Sequence, residues 1–165
     1  MQRSPRLTLR PRLLIIGCGD VVQRALPWLL ARFEVYALVR RPEQAALLRA
    51  AGVHVVAGDL DQPATLRRLA GLASWLIHSA PPAGDASLDL RTRHLVQALT
   101  RPPRRQAQKK AATGPQKRAI LTQPPARAVY ISTTGVYGDA GGRWLSESSP
   151  VQAGSARAQR RVDAE

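Results

Sequence analysis

The sequence is poor in cysteine, in acidic residues and in aromatic side chains. Its single cysteine, Cys18, excludes a disulfide framework within the chain and suits a reducing compartment. No apolar run approaches the roughly 18–20 residues that would span a bilayer. With 165 residues, 44% of them hydrophobic, the chain is long enough for one domain with a substantial core. We therefore expect a cytoplasmic protein without a membrane span.

The scarcity of acidic residues leaves a formal net charge of +14. Acidic residues are absent between Asp89 and Asp139, whereas basic residues cluster there. Such a segment is typical either of a surface that binds a polyanion or of the solvated surface of an arginine-biased chain. Aromatic residues do not alternate with these charges, as binding of single strands would favour. The sequence therefore favours the second interpretation, and nucleic acid is the less favoured partner.

Short apolar runs alternate five times with helix-like segments. The first run, LLII at 13–16, is continuous, as expected of a strand that is buried on both faces. Asp20 and Asp61 are candidate helix caps, and Pro27 is expected to kink its helix or delay its start. The predicted strands are 13–16, 33–40, 53–60, 74–82 and 128–132, and the predicted helices are 21–32, 41–52, 61–71, 87–100 and 155–165. This alternation predicts an α/β fold with a doubly wound parallel sheet.

The ends and one internal segment depart from this alternation. Residues 1–11 form a basic leader that we expect to be disordered. Prolines and glycines interrupt a basic segment at 101–127, which predicts a flexible surface insertion. The predicted domain covers 12–165.

The loop after the first predicted strand has the composition of a phosphate-binding turn. In GCGDVV, Gly17 permits a tight turn and Gly19 allows a phosphate to approach the backbone. Exposed N–H groups at the start of the next helix would favour a pyrophosphate there. The position of the usual third glycine is Val22, so the match to the fingerprint is incomplete. Residues 17–22, including Cys18, Asp20 and Val21, are candidate cofactor contacts, and a plain tight turn is the alternative.

The second predicted strand ends in two arginines where NAD-binding proteins carry an acidic residue. Arg40 and Arg41 follow the glycines by roughly 20 residues. An arginine at this place can bind the 2′-phosphate of NADP, so NADP is favoured over NAD. The alternative is that both are ordinary surface arginines.

Four motifs in order give the chain a resemblance to a known superfamily. They are GCGDVV after the first strand, GDLDQPATL after the third, HSAPP after the fourth and YISTTGVYGD at the fifth. With them the chain resembles the short-chain dehydrogenase/reductase superfamily, in the extended or atypical branch described as NAD-dependent epimerase/dehydratase. The resemblance implies an NAD(P)-binding Rossmann fold and an oxidoreductase or epimerase-like function on an unknown small molecule. A non-catalytic dinucleotide-binding remnant and a nucleic-acid-associated protein are the alternatives.

The resemblance also implies roles for individual residues. Asp59 and Leu60 match the pair that contacts the adenine, although Asp59 is alternatively a turn or cap residue. The loop of Ser79, Ala80 and Pro81 matches the one beside the cofactor's ribose and nicotinamide.

At the fifth strand the resemblance implies the substrate contacts. Thr133 matches the Ser or Thr that hydrogen-bonds the reacting oxygen of the substrate, with Ser132 and Thr134 as its neighbours. Tyr137 matches a tyrosine that shapes the site.

The chain departs from the superfamily at the catalytic pair. The usual Tyr-x-x-x-Lys falls on Arg157 and Arg161, and arginine stays protonated and cannot exchange the proton. Arg161 could still hold the nicotinamide ribose. Extended members also continue into further strands and a substrate-binding lobe. We therefore expect a chain that is truncated relative to them, either as a fragment or with a partner over the exposed sheet edge. The sequence is also compatible with a homo-oligomer.

Several other residues have two interpretations. Cys18 is either a small buried filler or a thiol made reactive by the helix dipole. His78 is either a catalytic group or a hydrogen-bonded residue at the end of a strand. The tryptophans, Trp28, Trp75 and Trp144, are expected to be packing residues. The histidines lack carboxylates or cysteines at ligand spacing, so no metal site is expected.

Overall fold

Within the part of the chain that the structure describes, five parallel strands form the sheet, with helices on both faces. The computed structural model describes residues 10–84, 88–101 and 124–165. The strand order is β3-β2-β1-β4-β5, and every neighbouring pair is parallel. The strands are β1 (Arg12–Ile16), β2 (Glu34–Val39), β3 (His54–Ala57), β4 (Trp75–His78) and β5 (Arg127–Tyr130). This arrangement confirms the predicted doubly wound fold.

The helices connect these strands in the order that the sequence predicted. They are α1 (Asp20–Arg32), α2 (Pro42–Ala50), α3 (Leu90–Thr100) and α4 (Ala156–Ala164), with 3-10 turns at Pro63–Arg68 and Thr134–Tyr137. None of the helices in the described ranges has the length and apolar character of a membrane span.

The central strand β1 divides the core into two layers. Leu13 and Ile15 face α1 and α2, whereas Leu14 and Ile16 face α3 and the first 3-10 turn. All four side chains are at most 1% exposed, which explains why the run is apolar without alternation. Because β1 pairs with β2 on one side and β4 on the other, its carboxyl end lies in the middle of the sheet.

The segment after β3 is shorter and tighter than predicted. Residues 63–68 form a 3-10 turn instead of an α-helix, and Gln62, not Asp61, stands at its N-cap. The Thr65 hydroxyl donates to the carbonyl of Gln62 and accepts from the N–H of Asp59. Such local side-chain bonds compete with the regular helical pattern, which explains the wrong prediction.

The start of α1 also differs from the prediction. Gly19 is the N-cap and makes no side-chain cap bond, while Asp20 is the first helical residue and pairs with Arg24 one turn on. Pro27 lies inside this helix and does not delay its start, because α1 begins at Asp20 and runs on to Arg32.

Of the three tryptophans, only Trp75 packs inside. Its ring meets Phe33 edge-on at 5.3 Å. Trp28 is 55% exposed, with the Arg32 guanidinium 4.1 Å above its ring, and Trp144 is fully exposed. The prediction of a packing role is therefore wrong for Trp28 and Trp144. Residues 1–9 of the leader and 102–123 of the basic insertion lie outside the described residues, so both predictions stay predictions.

Candidate functional site

The loop after β1 is held against the loop after β4 by close backbone contact. Gly17 has a φ of +87°, and a β-carbon there would lie 2.4 Å from the backbone nitrogen of Ala80. The carbonyl of Ile16 accepts hydrogen bonds from the N–H groups of Ser79 and Ala80, at 2.8 and 3.1 Å. The Ser79 hydroxyl donates to the carbonyl of Gly17. Only glycine fits residue 17, because the backbone of the next loop fills the place of a side chain.

Gly19 lies next to open space instead. Outside its immediate neighbours, a β-carbon at this position would meet no atom of the described residues within 4 Å. The residue precedes α1, whose first N–H groups have no partners within the helix. Val22, in the place of the third glycine, is 3% exposed and packs into the core under α1. The valine therefore leaves the space above the loop open.

A cleft of about 270 Å³ opens over this loop at the carboxyl ends of the central strands. It brings together nine of the residues predicted to contact the cofactor, namely Gly17, Cys18, Gly19, Arg40, Arg41, Asp59, Leu60, Ala80 and Pro81. The other predicted cofactor contacts do not line it, namely Asp20, Val21, Val22, Ser79 and Arg161, and neither does Thr133, the predicted substrate contact. The sheet topology explains this convergence, because open α/β sheets form their crevice where the strand order reverses.

The cleft carries both signs of charge near the end of β3. Arg40 is largely exposed, with its Nη1 3.8 Å from the carboxylate of Asp59. Arg41 is exposed on the same rim, where it is the N-cap of α2. At this distance the Arg40–Asp59 pair is loose, so the guanidinium group is available to a second anion.

The structure adds two polar side chains to the lining that the sequence analysis missed, those of Gln44 and Arg91. The Gln44 side-chain amide donates to the carbonyl of Cys18 at 2.9 Å, and Gln23 donates to the same carbonyl at 3.0 Å. Arg91 binds the carboxylate of Asp61 through two nitrogens, at 2.8 and 2.6 Å. Neither residue belongs to a motif, so only the tertiary structure identifies them.

Cys18 has the environment of a packing residue. It is 5% exposed and belongs to the core cluster beneath α1. Burial raises the pKa of its thiol, which opposes the effect expected of a helix dipole. The reactive-thiol alternative is therefore disfavoured.

Thr133 lies outside the cleft. It is exposed and caps the second 3-10 turn, where its hydroxyl accepts from the N–H of Gly135 at 3.4 Å. Tyr137 is half-buried and lines a smaller hollow of its own with Trp144. Neither residue therefore lines the cleft over the glycine loop.

The two arginines that the resemblance aligns with the catalytic pair have different surroundings. Arg157 is exposed, whereas Arg161 is 7% exposed. The Nη1 of Arg161 donates to the hydroxyl of Tyr130 at 3.0 Å and to the carbonyl of Ile131 at 2.8 Å. Burial raises the pKa of the Tyr130 phenol, and the hydrogen bond from Arg161 opposes this only in part. Arg161 thus fastens α4 to the end of β5.

His78 belongs to a buried chain of hydrogen bonds. Its Nε2 lies 2.8 Å from the hydroxyl of Thr92, which donates to the carboxylate of Asp89 at 2.8 Å. The hydroxyl therefore accepts from His78, which requires a proton on Nε2. Burial lowers the pKa of the imidazole, so the neutral form is favoured. The expectation of a hydrogen-bonded histidine at the strand end is confirmed.

Among the described residues, no group of three His, Cys, Asp or Glu side chains is placed to hold a metal ion.

No known protein-family model and no curated protein matches the sequence.

Solved structures match the fold. A "putative NAD-dependent epimerase/dehydratase" from Methylobacillus flagellatus shares 26% identity, with a TM-score of 0.63 over 93% of this chain and 48% of that chain. A "putative epimerase" from Burkholderia cenocepacia J2315 shares 18% identity, with a TM-score of 0.69 over 94% of this chain and 48% of that chain. A short-chain dehydrogenase/reductase superfamily protein from Agrobacterium tumefaciens, solved with bound NAD, shares 17% identity, with a TM-score of 0.59 over 93% and 42%.

The match at 26% identity confirms the resemblance that the four motifs predicted. All three matches confirm the Rossmann-type fold. The chain spans about half the length of the structures that it matches.

Proposed function

We propose that the cleft over Gly17 and Gly19 binds a nicotinamide dinucleotide, with NADP favoured and NAD as the second choice. The observation that carries the proposal is the glycine loop at the central strand, which opens into a cleft that Arg40, Arg41 and Asp59 also line. The empty volume beside Gly19 and the exposed start of α1 suit a pyrophosphate. A structural neighbour at 26% identity bears an NAD-dependent name, which supports a dinucleotide.

Within this proposal each half of the dinucleotide has its own wall. Arg40 and Arg41 hold the 2′-phosphate, Asp59 and Leu60 lie beside the adenosine, and the loop of Ala80 and Pro81 lies beside the other half. A bound nicotinamide would supply hydride transfer to an oxidoreductase or epimerase-like reaction. Thr133 is the candidate contact for the reacting oxygen of the substrate, which would have to reach the cleft from the end of β5.

Nicotinamide fluorescence tests the binding. Titration of the protein with NADPH and with NADH is expected to give a saturable change with both, and a lower Kd for NADPH. The absence of a saturable change with either nucleotide would contradict the proposal.

A second candidate is a dinucleotide-binding module without turnover. Arginines occupy both positions of the usual Tyr-x-x-x-Lys pair, and the guanidinium group of Arg161 is already bonded to Tyr130 and Ile131. This candidate predicts NADPH binding without consumption of the cofactor. Steady oxidation of NADPH with any member of a panel of carbonyl compounds or nucleotide sugars would exclude it.

A further inference from the structure

Arg91 joins two loops that come from distant strands. β3 and β4 are separated in the sheet by β2 and β1, which places them about 14 Å apart at the usual strand spacing. Arg91 nevertheless links the loop after β3 to the loop after β4. The Arg91 guanidinium donates to both carboxylate oxygens of Asp61, at 2.8 and 2.6 Å, and to the carbonyl of Pro81, at 3.1 Å.

The same helix fastens the first of these loops a second time. One turn beyond Arg91, the Nδ1 of His94 lies 2.7 Å from the carbonyl of Leu60. The start of α3 is itself fixed, because the Asp89 carboxylate accepts from the N–H of Thr92. α3 thus fixes the position of Arg91, and the arginine in turn fixes the distance between the two loops.

The two loops form opposite walls of the cleft. Asp59 and Leu60 line one wall and Ala80 and Pro81 line the other, with Arg91 itself among the lining residues. Its side chain is 22% exposed, and its three hydrogen bonds are charge-assisted or directed to a carbonyl. The affinity of a ligand that contacts only one wall does not depend on the separation of the two walls. The affinity of a ligand that contacts both walls does depend on it.

We propose that Arg91 is a positioning residue for the bound dinucleotide, because it holds the wall of Asp59 and Leu60 and the wall of Ala80 and Pro81 at the separation that a two-walled ligand needs. This inference rests on the proposed function of the cleft. It assigns Arg91 no part in the choice between NADP and NAD.

Two ligands of different reach test the proposal. NADPH would contact both walls, whereas 2′,5′-ADP carries only the adenosine half with its 2′-phosphate. In Arg91→Gln, the Kd of NADPH is expected to rise about tenfold, the size of effect that loss of a charged coupling produces, while the Kd of 2′,5′-ADP changes less than about twofold. Asp61→Asn should reproduce this pattern, and Arg91→Lys should give an intermediate Kd. The double variant with Arg91→Gln and Asp61→Asn should bind NADPH as tightly as Arg91→Gln alone, because both changes remove the same contact.

Arg93→Gln is the matched control. Arg93 lies two residues further along α3 and binds the carboxylate of Asp163 through two nitrogens, at 3.3 and 2.7 Å, away from the cleft. Its replacement removes the same charge and a similar ion pair, so both Kd values should remain as in the wild type. Thermal unfolding of each variant verifies that it is folded.

The outcomes separate the inference from the proposed function. An unchanged Kd of NADPH in Arg91→Gln, or an equal rise for both ligands, would overturn the positioning role while leaving dinucleotide binding intact. Because Asp61→Asn tests the same contact from the other side, a failure of Arg91→Gln to fold still leaves the proposal open to refutation. If the wild type binds neither NADPH nor NADH, the proposed function fails, and the inference fails with it.

Discussion

The backbone of Gly17 approaches Ala80 so closely that a β-carbon on residue 17 would lie 2.4 Å from the Ala80 nitrogen. This contact joins the loop of the central strand to the loop of its neighbour, and it involves main-chain atoms that cannot rotate away. The identity of residue 17 is therefore a requirement of the fold before it is a requirement of any ligand.

Replacement of Gly17 by alanine is expected to destabilise the protein strongly. The positive φ of +87° and the collision with the backbone of Ala80 both oppose the new side chain. Together they should lower the free energy of unfolding by at least about 3 kcal/mol. Urea unfolding followed by circular dichroism measures the change, and a loss below 1 kcal/mol would show that the loop can move apart.

Gly19→Ala should weaken the binding of NADPH and leave the stability of the protein nearly unchanged. Because the new β-carbon meets no atom within 4 Å in the part of the chain that the structure describes, the free energy of unfolding should change by less than about 1 kcal/mol. The methyl group would stand where the phosphates must approach, so the Kd of NADPH should rise about tenfold or more. Isothermal titration of the folded variant checks this, and an unchanged Kd would place the phosphates elsewhere.

Arg40 and Arg41 should determine the preference between the two cofactors. Removal of one charge by Arg40→Gln or Arg41→Gln is expected to raise the Kd of NADPH about tenfold, as for the loss of a charge-assisted hydrogen bond. The Kd of NADH should change less than about twofold. Arg49→Gln, at the exposed far end of α2, removes the same charge outside the cleft and is the control. An equal effect on both cofactors would exclude selection by the 2′-phosphate.

His78 should make the protein less stable in mild acid. Burial lowers the pKa of its imidazole in the folded state, so below the ordinary value of about 6.5 the unfolded chain binds the proton first. Stability should therefore be constant above that pH and fall as the pH decreases through it towards the lowered pKa. Urea unfolding between pH 8 and pH 5 measures this loss. In His78→Asn the free energy of unfolding should depend less on pH. The same pH dependence in the variant and the wild type would assign the loss of stability to another group.

Asp89 should contribute more to stability than an exposed acidic residue. It is 1% exposed, caps α3 through the N–H of Thr92 and accepts from the hydroxyl of the same residue. Asp89→Ala should lower the free energy of unfolding by about 2–3 kcal/mol. Asp20→Ala, which removes an exposed pair with Arg24, should cost less than about 0.5 kcal/mol. Similar losses from both variants would contradict the structural role of the buried cap.

The sequence predicted the sheet well because its signals are local. A continuous apolar run such as 13–16 is required of a strand covered on both faces, and glycines and prolines mark the turns between elements. The 3-10 turn at 63–68 was harder to predict, because the bonds of Thr65 to its own neighbours outweigh the helical pattern.

The glycine loop and Arg40 could likewise be predicted, since both follow a strand at a fixed spacing. Arg91 and Gln44 could not, because their partners Asp61 and Cys18 lie 30 and 26 residues away and no periodicity links them. The exposure of Trp28 also depends on which surfaces of α1 the rest of the chain covers, and composition does not contain that information.

The buried thiol of Cys18 has a practical consequence. It is the sole sulfhydryl group in the chain. Cys18 belongs to the loop that the proposal assigns to the phosphates, and its side chain packs into the core beneath that loop. An alkylating reagent can reach it only when that segment opens, so the rate of modification records local breathing of the loop. A nucleotide seated above the thiol would slow the labelling, which turns one native sulfur atom into a probe of occupancy that needs no engineered tag.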